Sequence, residues 1–291
     1  MLHFIINPIA GGKNGKKMKK AVTIIENRLK ERNAEYSFHF TTKKGDAKTF
    51  TEDLINGGAE TIVAVGGDGT LHEIINGFTD FDKTALGIVP CGTGNDFAAS
   101  LKIPENPVQA VDLILDGEKK PVDFMQLPTV RGLNIAGMGV DVDVLKRYES
   151  LKKKTKFGYT KCLVKALVHP KMTEFSAEIN GETKKYVSFI ACVANGYRYG
   201  GGIPICPVAD STDEKLDFVA VDKLKGLKMI KAFLKLKKGK ILSLKQTTHE
   251  KMTEIKITAA PPYTVQVDGE LYENIPFDVK IVSDALKVFR P

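Results

Sequence analysis

Three glycine-rich runs, each directly after an apolar run, carry the residues whose types and spacing could do chemistry. Gly66, Gly67, Asp68, Gly69 and Thr70 follow the apolar stretch ending at Val65. Asn7, Pro8, Ile9, Ala10 and Gly11 follow Leu2 to Ile6, and Pro90-Cys91-Gly92-Thr93-Gly94-Asn95-Asp96 follows Ala85 to Val89. Glycine lets the backbone take positive φ and approach a ligand closely, so successive N–H groups can face phosphate oxygens, with further donors from a following helix. Asp68 is the odd charge in such a loop. A carboxylate beside phosphates is repulsive unless a divalent cation or a substrate proton lies between them, and a nucleotide bound with magnesium meets that condition. The same residues also read as tight strand-to-helix turns, with Asp68 or Thr70 capping one helix and Asn95-Asp96 another.

The familiar phosphate fingerprints are absent. A Walker loop needs four residues between its glycines and then Lys-Ser/Thr, whereas Gly11 and Gly15 are separated by three residues and followed by Lys16-Lys17. A dinucleotide loop needs a third glycine, where Gly67-x-Gly69 is followed by His72 and Gly92-x-Gly94 by Phe97. The chain is therefore neither a Walker NTPase nor an ordinary dinucleotide dehydrogenase.

The elements that must position these loops follow from hydrophobic period. Leu2–Ile6, Tyr36–Phe40, Thr61–Val65 and Leu86–Val89 read as strands, and Lys17–Lys30, Asp46–Ile55 and Pro107–Leu115 as helices, with a further helix beginning near Leu71. Alternating strand and helix predicts a parallel α/β domain over residues 1–122, whose strand ends would share one edge and bring the three loops to one crevice. After Pro121 the texture changes to β-type runs between turn signals: Phe175–Ile179, Tyr186–Val193, Asp217–Val221, Thr253–Ile257 and Thr264–Val267. Residues 123–279 are expected to form a mostly antiparallel second domain.

Val65 to Glu73, Pro90 to Ala98 and Asn7 to Gly12 resemble the soluble bacterial lipid kinases of the diacylglycerol kinase catalytic-domain superfamily, relatives of sphingosine kinases and, more distantly, NAD kinases. Asn134 to Asp141, Ala194-Asn195-Gly196, the run from Pro207 to Asp217, and Val267-Asp268-Gly269-Glu270 extend the resemblance through nearly the whole chain. It implies an α/β Rossmann-like domain joined to a β-sandwich-like one of NAD kinase/diacylglycerol kinase type, with residues from about 280 returning to the first domain. ATP and Mg2+ are implied as cofactors. Asn7 to Gly11, Gly66 to Thr70 and Thr93 would form the nucleotide cradle, with Thr41 as a further nucleotide contact. Asp68 and Asp96 would be the active-site carboxylates and Glu270 the general base; on spacing alone Thr41 is a turn residue and Glu270 follows an ordinary β-turn. Asp210, Asp213 and the Lys215 carbonyl would hold a structural magnesium, with Asp123 linked to it. Glu214 stands where that family pattern carries glycine, and an acidic surface turn is the alternative reading of this loop. His72 occupies a position where relatives often carry asparagine.

The partner expectations come from charge. The 291 residues carry a net charge of +8, concentrated at Lys152 to Lys156 and at Leu224 to Lys238, where Leu227, Ile230 and Leu234 share a side with lysines on the rest. Such helices read either as solvated faces packed on a core or as contacts with an anionic membrane surface. No zinc-finger spacing or aromatic-interleaved basic sheet points to nucleic acid. His3, His39, His72, His169 and His249 are scattered, so no zinc site is expected. Four cysteines without paired spacing and no long apolar run predict a reduced, cytoplasmic, peripherally membrane-associated protein. A homodimer is compatible with the sequence. The function expected is transfer of the γ-phosphoryl group of ATP to a lipid hydroxyl, diacylglycerol giving phosphatidic acid. The alternatives are kinases of phosphatidylglycerol, a sphingoid base or NAD, and a non-catalytic nucleotide-binding regulator.

Overall fold

The computed structural model describes residues 1–12, 15–151, 155–168, 170–224 and 227–291. Lys152-Lys153-Lys154, His169 and Lys225-Gly226, which figured in the charge and histidine readings, lie outside the described residues. The chain divides into two compact units: Met1–Asp123 with Asp284–Pro291, and Phe124–Ser283.

The first unit follows the α/β pattern: β1 (Leu2–Ile6), α1 (Lys16–Glu31), β2 (Tyr36–Phe40), α2 (Asp46–Asn56), β3 (Thr61–Gly66), α3 (Asp68–Gly77), β4 (Ala85–Pro90), α4 (Asp96–Ser100) and α5 (Pro107–Asp116), leading into β5 (Lys119–Gln126). β4, β3, β1 and β2 lie side by side in parallel. β3 and β4 are buried along their full length because helices cover both faces, which is why they read as continuous apolar runs. Phe4, Ile6, Val63 and Val65 face one core with Ile25 and Leu29 of α1 and Ala110 and Val111 of α5. α3 starts at Asp68 rather than near Leu71, with Gly67 as its N-cap. Glycines and a short acid are tolerated in a first turn, so periodicity alone places the start too late.

The second unit continues with β6 (Arg131–Gly132), β7 (Ile135–Gly139), α6 (Val140–Glu149), α7 (Lys156–Val168), β8 (Thr173–Ile179), β9 (Glu182–Ala194), β10 (Leu216–Asp222), α8 (Leu227–Lys237), β11 (Thr247–Met252), β12 (Glu254–Ala259), β13 (Thr264–Val267), β14 (Glu270–Glu273) and β15 (Phe277–Phe289), the last running on into the first unit. The register of β9 organises it. Glu182–Ser188 pairs with β8, while Ser188–Ala194 lies between β7 and β10. Its buried half sends Ile190, Cys192 and Ala194 into one core, shared with α6, α7 and α8, and Ala191 and Val193 into another, shared with Phe175, Ile257 and Phe277. Period-two alternation inside an unbroken apolar run thus feeds two layers, one helical and one β-sandwich-like.

α8 corrects the stripe read from sequence. Met229, Ala232 and Leu236 pack inward, whereas Ile230 and Leu234 are 57% and 53% exposed. No helix among the described residues is long and apolar enough to cross a membrane. Cys91, Cys162, Cys192 and Cys206 are all buried free thiols.

Candidate active site

In the first unit the parallel register brings three strand ends level, with Ile6 beside Val65 and Gly66 beside Pro90, so the three glycine loops leave the sheet together. They are hydrogen-bonded to one another rather than merely adjacent. Cys91 N–H and Gly92 N–H donate to the Gly66 carbonyl at 2.7 and 3.0 Å, and Asn7 N–H donates to the Val65 carbonyl at 3.1 Å. Asn7 Nδ2 donates to Thr70 Oγ1 at 3.3 Å. Asn7 Oδ1 accepts from Ile9 N–H, which folds Pro8, Ile9 and Ala10 into a tight turn. Gly11, at φ +75°, lies against the Cys91 carbonyl.

The third loop is held by Asp68. Its Oδ1 accepts the Asp96 and Phe97 N–H groups at 2.8 and 3.2 Å, so the carboxylate caps α4 from a different loop. Asn95 takes a left-handed conformation and accepts Gly92 N–H through Oδ1 at 2.9 Å. Asp96 is 3% exposed, which fixes its position. A Cβ on Gly92 would come within 2.4 Å of Gly67 Cα, so no residue with a side chain fits where these two loops cross. Gly69 and Thr93 are exposed at the rim. Thr41 N–H donates to the Ile6 carbonyl at 2.9 Å, placing this buried threonine beside the start of the Asn7 loop. Behind it, Glu73 Oε2 accepts Ala47 N–H of α2, and Asp46 accepts the Thr42 amide and hydroxyl, which hold its carboxyl below the usual carboxylate range. His72 is buried within α3.

Glu270 lies in the second unit, at the first position of β14 after a two-residue turn. Val267 pairs with Glu270, and Asp268 and Gly269 both have positive φ, 52° and 92°, the requirement of a type I′ hairpin. Three backbone amides fix the turn: Leu133, Asn134 and Ile135 N–H donate to the Asp268 carboxylate at 2.7, 2.8 and 3.1 Å. Asn195 holds the segment before β7 by donating Nδ2 to the Leu133 carbonyl at 2.7 Å. Gln266 bridges the turn to the core, accepting Gly269 N–H at 3.0 Å and donating to Asp141 Oδ2 at 3.2 Å. Burial pushes the Asp141 carboxyl up to about 7. Glu270 itself is half-buried.

The acidic loop is folded onto its own backbone. Asp210 Oδ1 accepts the Thr212 amide at 3.1 Å and its hydroxyl at 2.8 Å, and Asp213 Oδ1 accepts Lys215 N–H at 3.1 Å. Asp213 Oδ2 lies 2.5 Å from Lys251 Nζ. Glu214 sits at φ +59°, the left-handed region where the family pattern carries glycine. The donors that a magnesium at Asp210, Asp213 and the Lys215 carbonyl would use are thus engaged in part by amides and an ammonium, and the arrangement does not fit an open hard-cation seat. Asp123 is fully buried in the first unit, where its Oδ1 accepts Asp284 N–H at 2.8 Å.

Sequence reading missed Asp141, Gln266, His249 and Lys251 as positioning groups. Asn95, read with Asp96 as a helix cap, stands at the N-cap position of α4.

Residues 1–127 match the diacylglycerol kinase catalytic domain, and residues 134–290 match the YegS C-terminal NAD kinase beta sandwich-like domain. The chain belongs to the diacylglycerol kinase/YegS family of lipid kinases. A Xanthomonas campestris protein named "Probable lipid kinase YegS-like" is 29% identical over 275 residues, covering 90% of this chain and 89% of its own. A solved Bacillus anthracis structure, titled a diacylglycerol kinase, shares the fold with a TM-score of 0.79 at 24% identity, covering 100% of this chain and 96% of its own.

Proposed function

We propose that the protein is an ATP- and magnesium-dependent kinase that transfers the γ-phosphoryl group to a lipid hydroxyl, with diacylglycerol as acceptor and phosphatidic acid as product. The observation that carries this reading is the knitting of three glycine loops by Asn7, Asp68 and the Gly66 carbonyl, which gathers backbone amides and carboxylates at one sheet edge. Phosphoryl transfer asks the protein mainly for positioning and charge stabilisation. Asn7 to Gly11, Gly66 to Thr70, Thr41 and Thr93 would bind the nucleotide. Asp68 and Asp96 would hold its magnesium, whose chemistry is to neutralise charge on the phosphates. Glu270, on a turn fixed by three amides, would take the acceptor hydroxyl's proton. A carboxylate is a weak base towards an alcohol, so the transfer occurs only as the new P–O bond acidifies that oxygen.

Two features of the second unit favour a lipid acceptor at a membrane surface. A small recess lined among others by Leu163, Phe189, Tyr199, Met229 and Phe233 is almost wholly apolar, the surroundings that an acyl chain prefers. Phe157 on α7 is 79% exposed, and Ile230 and Leu234 are exposed on α8, a helix that also carries Lys228, Lys231, Lys235 and Lys237. Apolar residues exposed on basic helices suit an anionic leaflet.

The test is incubation of the full chain with liposomes of total bacterial lipid, labelled ATP and magnesium, followed by mass spectrometry of the extracted lipids. Phosphatidic acid supports the reading. Label in another lipid would change the acceptor, and label confined to the aqueous phase would refute a lipid kinase.

A further inference from the structure

Asp217 is 0% exposed, and a carboxylate taken out of water needs an opposite charge close by. The ladder register supplies one cation and one further hydrogen-bond partner. Asp217 on β10 lies directly opposite Lys251 on β11, and His249 is two residues away on the same face of β11. Antiparallel neighbours in these positions reach one another. His249 Nε2 is 2.5 Å from Asp217 Oδ1, and Lys251 Nζ is 3.9 Å from Asp217 Oδ2. The same ammonium reaches Asp213 Oδ2 at 2.5 Å. One lysine therefore serves a buried carboxylate of the sheet and a carboxylate of the acidic loop.

A divalent ion bound by Asp213 would compete for the oxygen that Lys251 already engages, and it would stand close to a second positive charge. Glu214, exposed and at positive φ, adds a bulky side chain where such a loop would otherwise have none. We propose that Lys251 takes the place of the divalent ion implied for Asp210, Asp213 and the Lys215 carbonyl. The loop preceding β10 is then held by an ammonium carried on β11 and folds without metal. Lys251 takes no part in phosphoryl transfer, and the nucleotide's own magnesium is a separate ion.

The test uses the full chain without nucleotide. Metal content is measured by mass spectrometry after gel filtration, and Tm is measured with EDTA and with added magnesium. The expected result is no stoichiometric magnesium, calcium or zinc, and a Tm that EDTA leaves unchanged. Lys251→Met is expected to lower Tm by about 5 °C, because it strips a partner from two carboxylates, while Lys251→Arg holds it near the wild-type value. One equivalent of magnesium whose removal by EDTA lowers Tm would overturn the proposal, as would a Lys251→Met protein as stable as wild type. Stoichiometric zinc would overturn it too. It would assign the neutralisation of Asp217 to a metal shared with Cys206 and His249, since the three ligand atoms lie within 4.8 Å of one another.

Discussion

Asp141 gives a prediction whose size and sign both follow from its surroundings. The carboxyl is buried against Gly137, receives Val142 N–H and Gln266 Nε2, and titrates at about 7 instead of the ordinary aspartate value of 3.8. Burial is the leading cause. Because the folded pKa is raised, this group's contribution to stability is fully present below pH 3.8 and is lost as pH rises through about 7. Raising a pKa by one pH unit corresponds to about 1.4 kcal/mol, so roughly 4 kcal/mol is at stake over the whole window. Asp141→Asn cannot ionise. The stability of wild type relative to this variant is therefore expected to fall by roughly 2–3 kcal/mol between pH 5 and pH 7, and to level off above that range. The chain has no tryptophan, so urea unfolding is followed by far-UV circular dichroism at a series of pH values. A wild-type-minus-variant difference that is the same at pH 5 and pH 7 would refute the assignment of a buried, neutral Asp141.

Glu270→Gln is expected to lower kcat by about 10²- to 10⁴-fold at unchanged Tm, because the side chain is half-buried and only the proton acceptor is removed. Steady-state kinetics beside a melting curve check this, and wild-type turnover would exclude Glu270 as the base. Gly92→Ala sets a Cβ against Gly67 Cα, where only backbone can move, and is expected to cost on the order of 3 kcal/mol and to abolish nucleotide binding by calorimetry. Ile230→Glu with Leu234→Glu should leave Tm within a degree or so, since both side chains are exposed, and should abolish sedimentation with anionic vesicles. Persisting vesicle binding would move the membrane contact elsewhere.

The glycine loops were legible in the sequence because each follows an apolar strand, and a parallel sheet forces such strand ends to one edge. The turn before Glu270 was legible for a similar reason, since Asp-Gly after a strand suits a type I′ hairpin. What could not be read was which groups meet through space. Asp68 caps amides at 96 and 97, Gln266 reaches Asp141, and Lys251 reaches Asp213 because of strand register that no local pattern encodes. α8 failed for a different reason. Met229, Ala232 and Leu236 form one apolar stripe and Ile230 with Leu234 another, so periodicity identified a helix without saying which stripe the core would take. α6 was hidden because its start, Val140-Asp141, continues the β-type run of β7 across Gly139.

Lys287 and Val288 of β15 pair in parallel with Ala85 and Leu86 of β4, the strand that feeds the third glycine loop. On the ribosome, the leading half of the polypeptide must therefore wait with one sheet margin open until the entire β-rich half has been synthesised. A fragment cut after residue 127 would inherit that open margin, a template for self-association. Expression of the leading half alone should accordingly yield aggregates, and co-expression of a peptide spanning Asp284–Pro291 should improve its recovery.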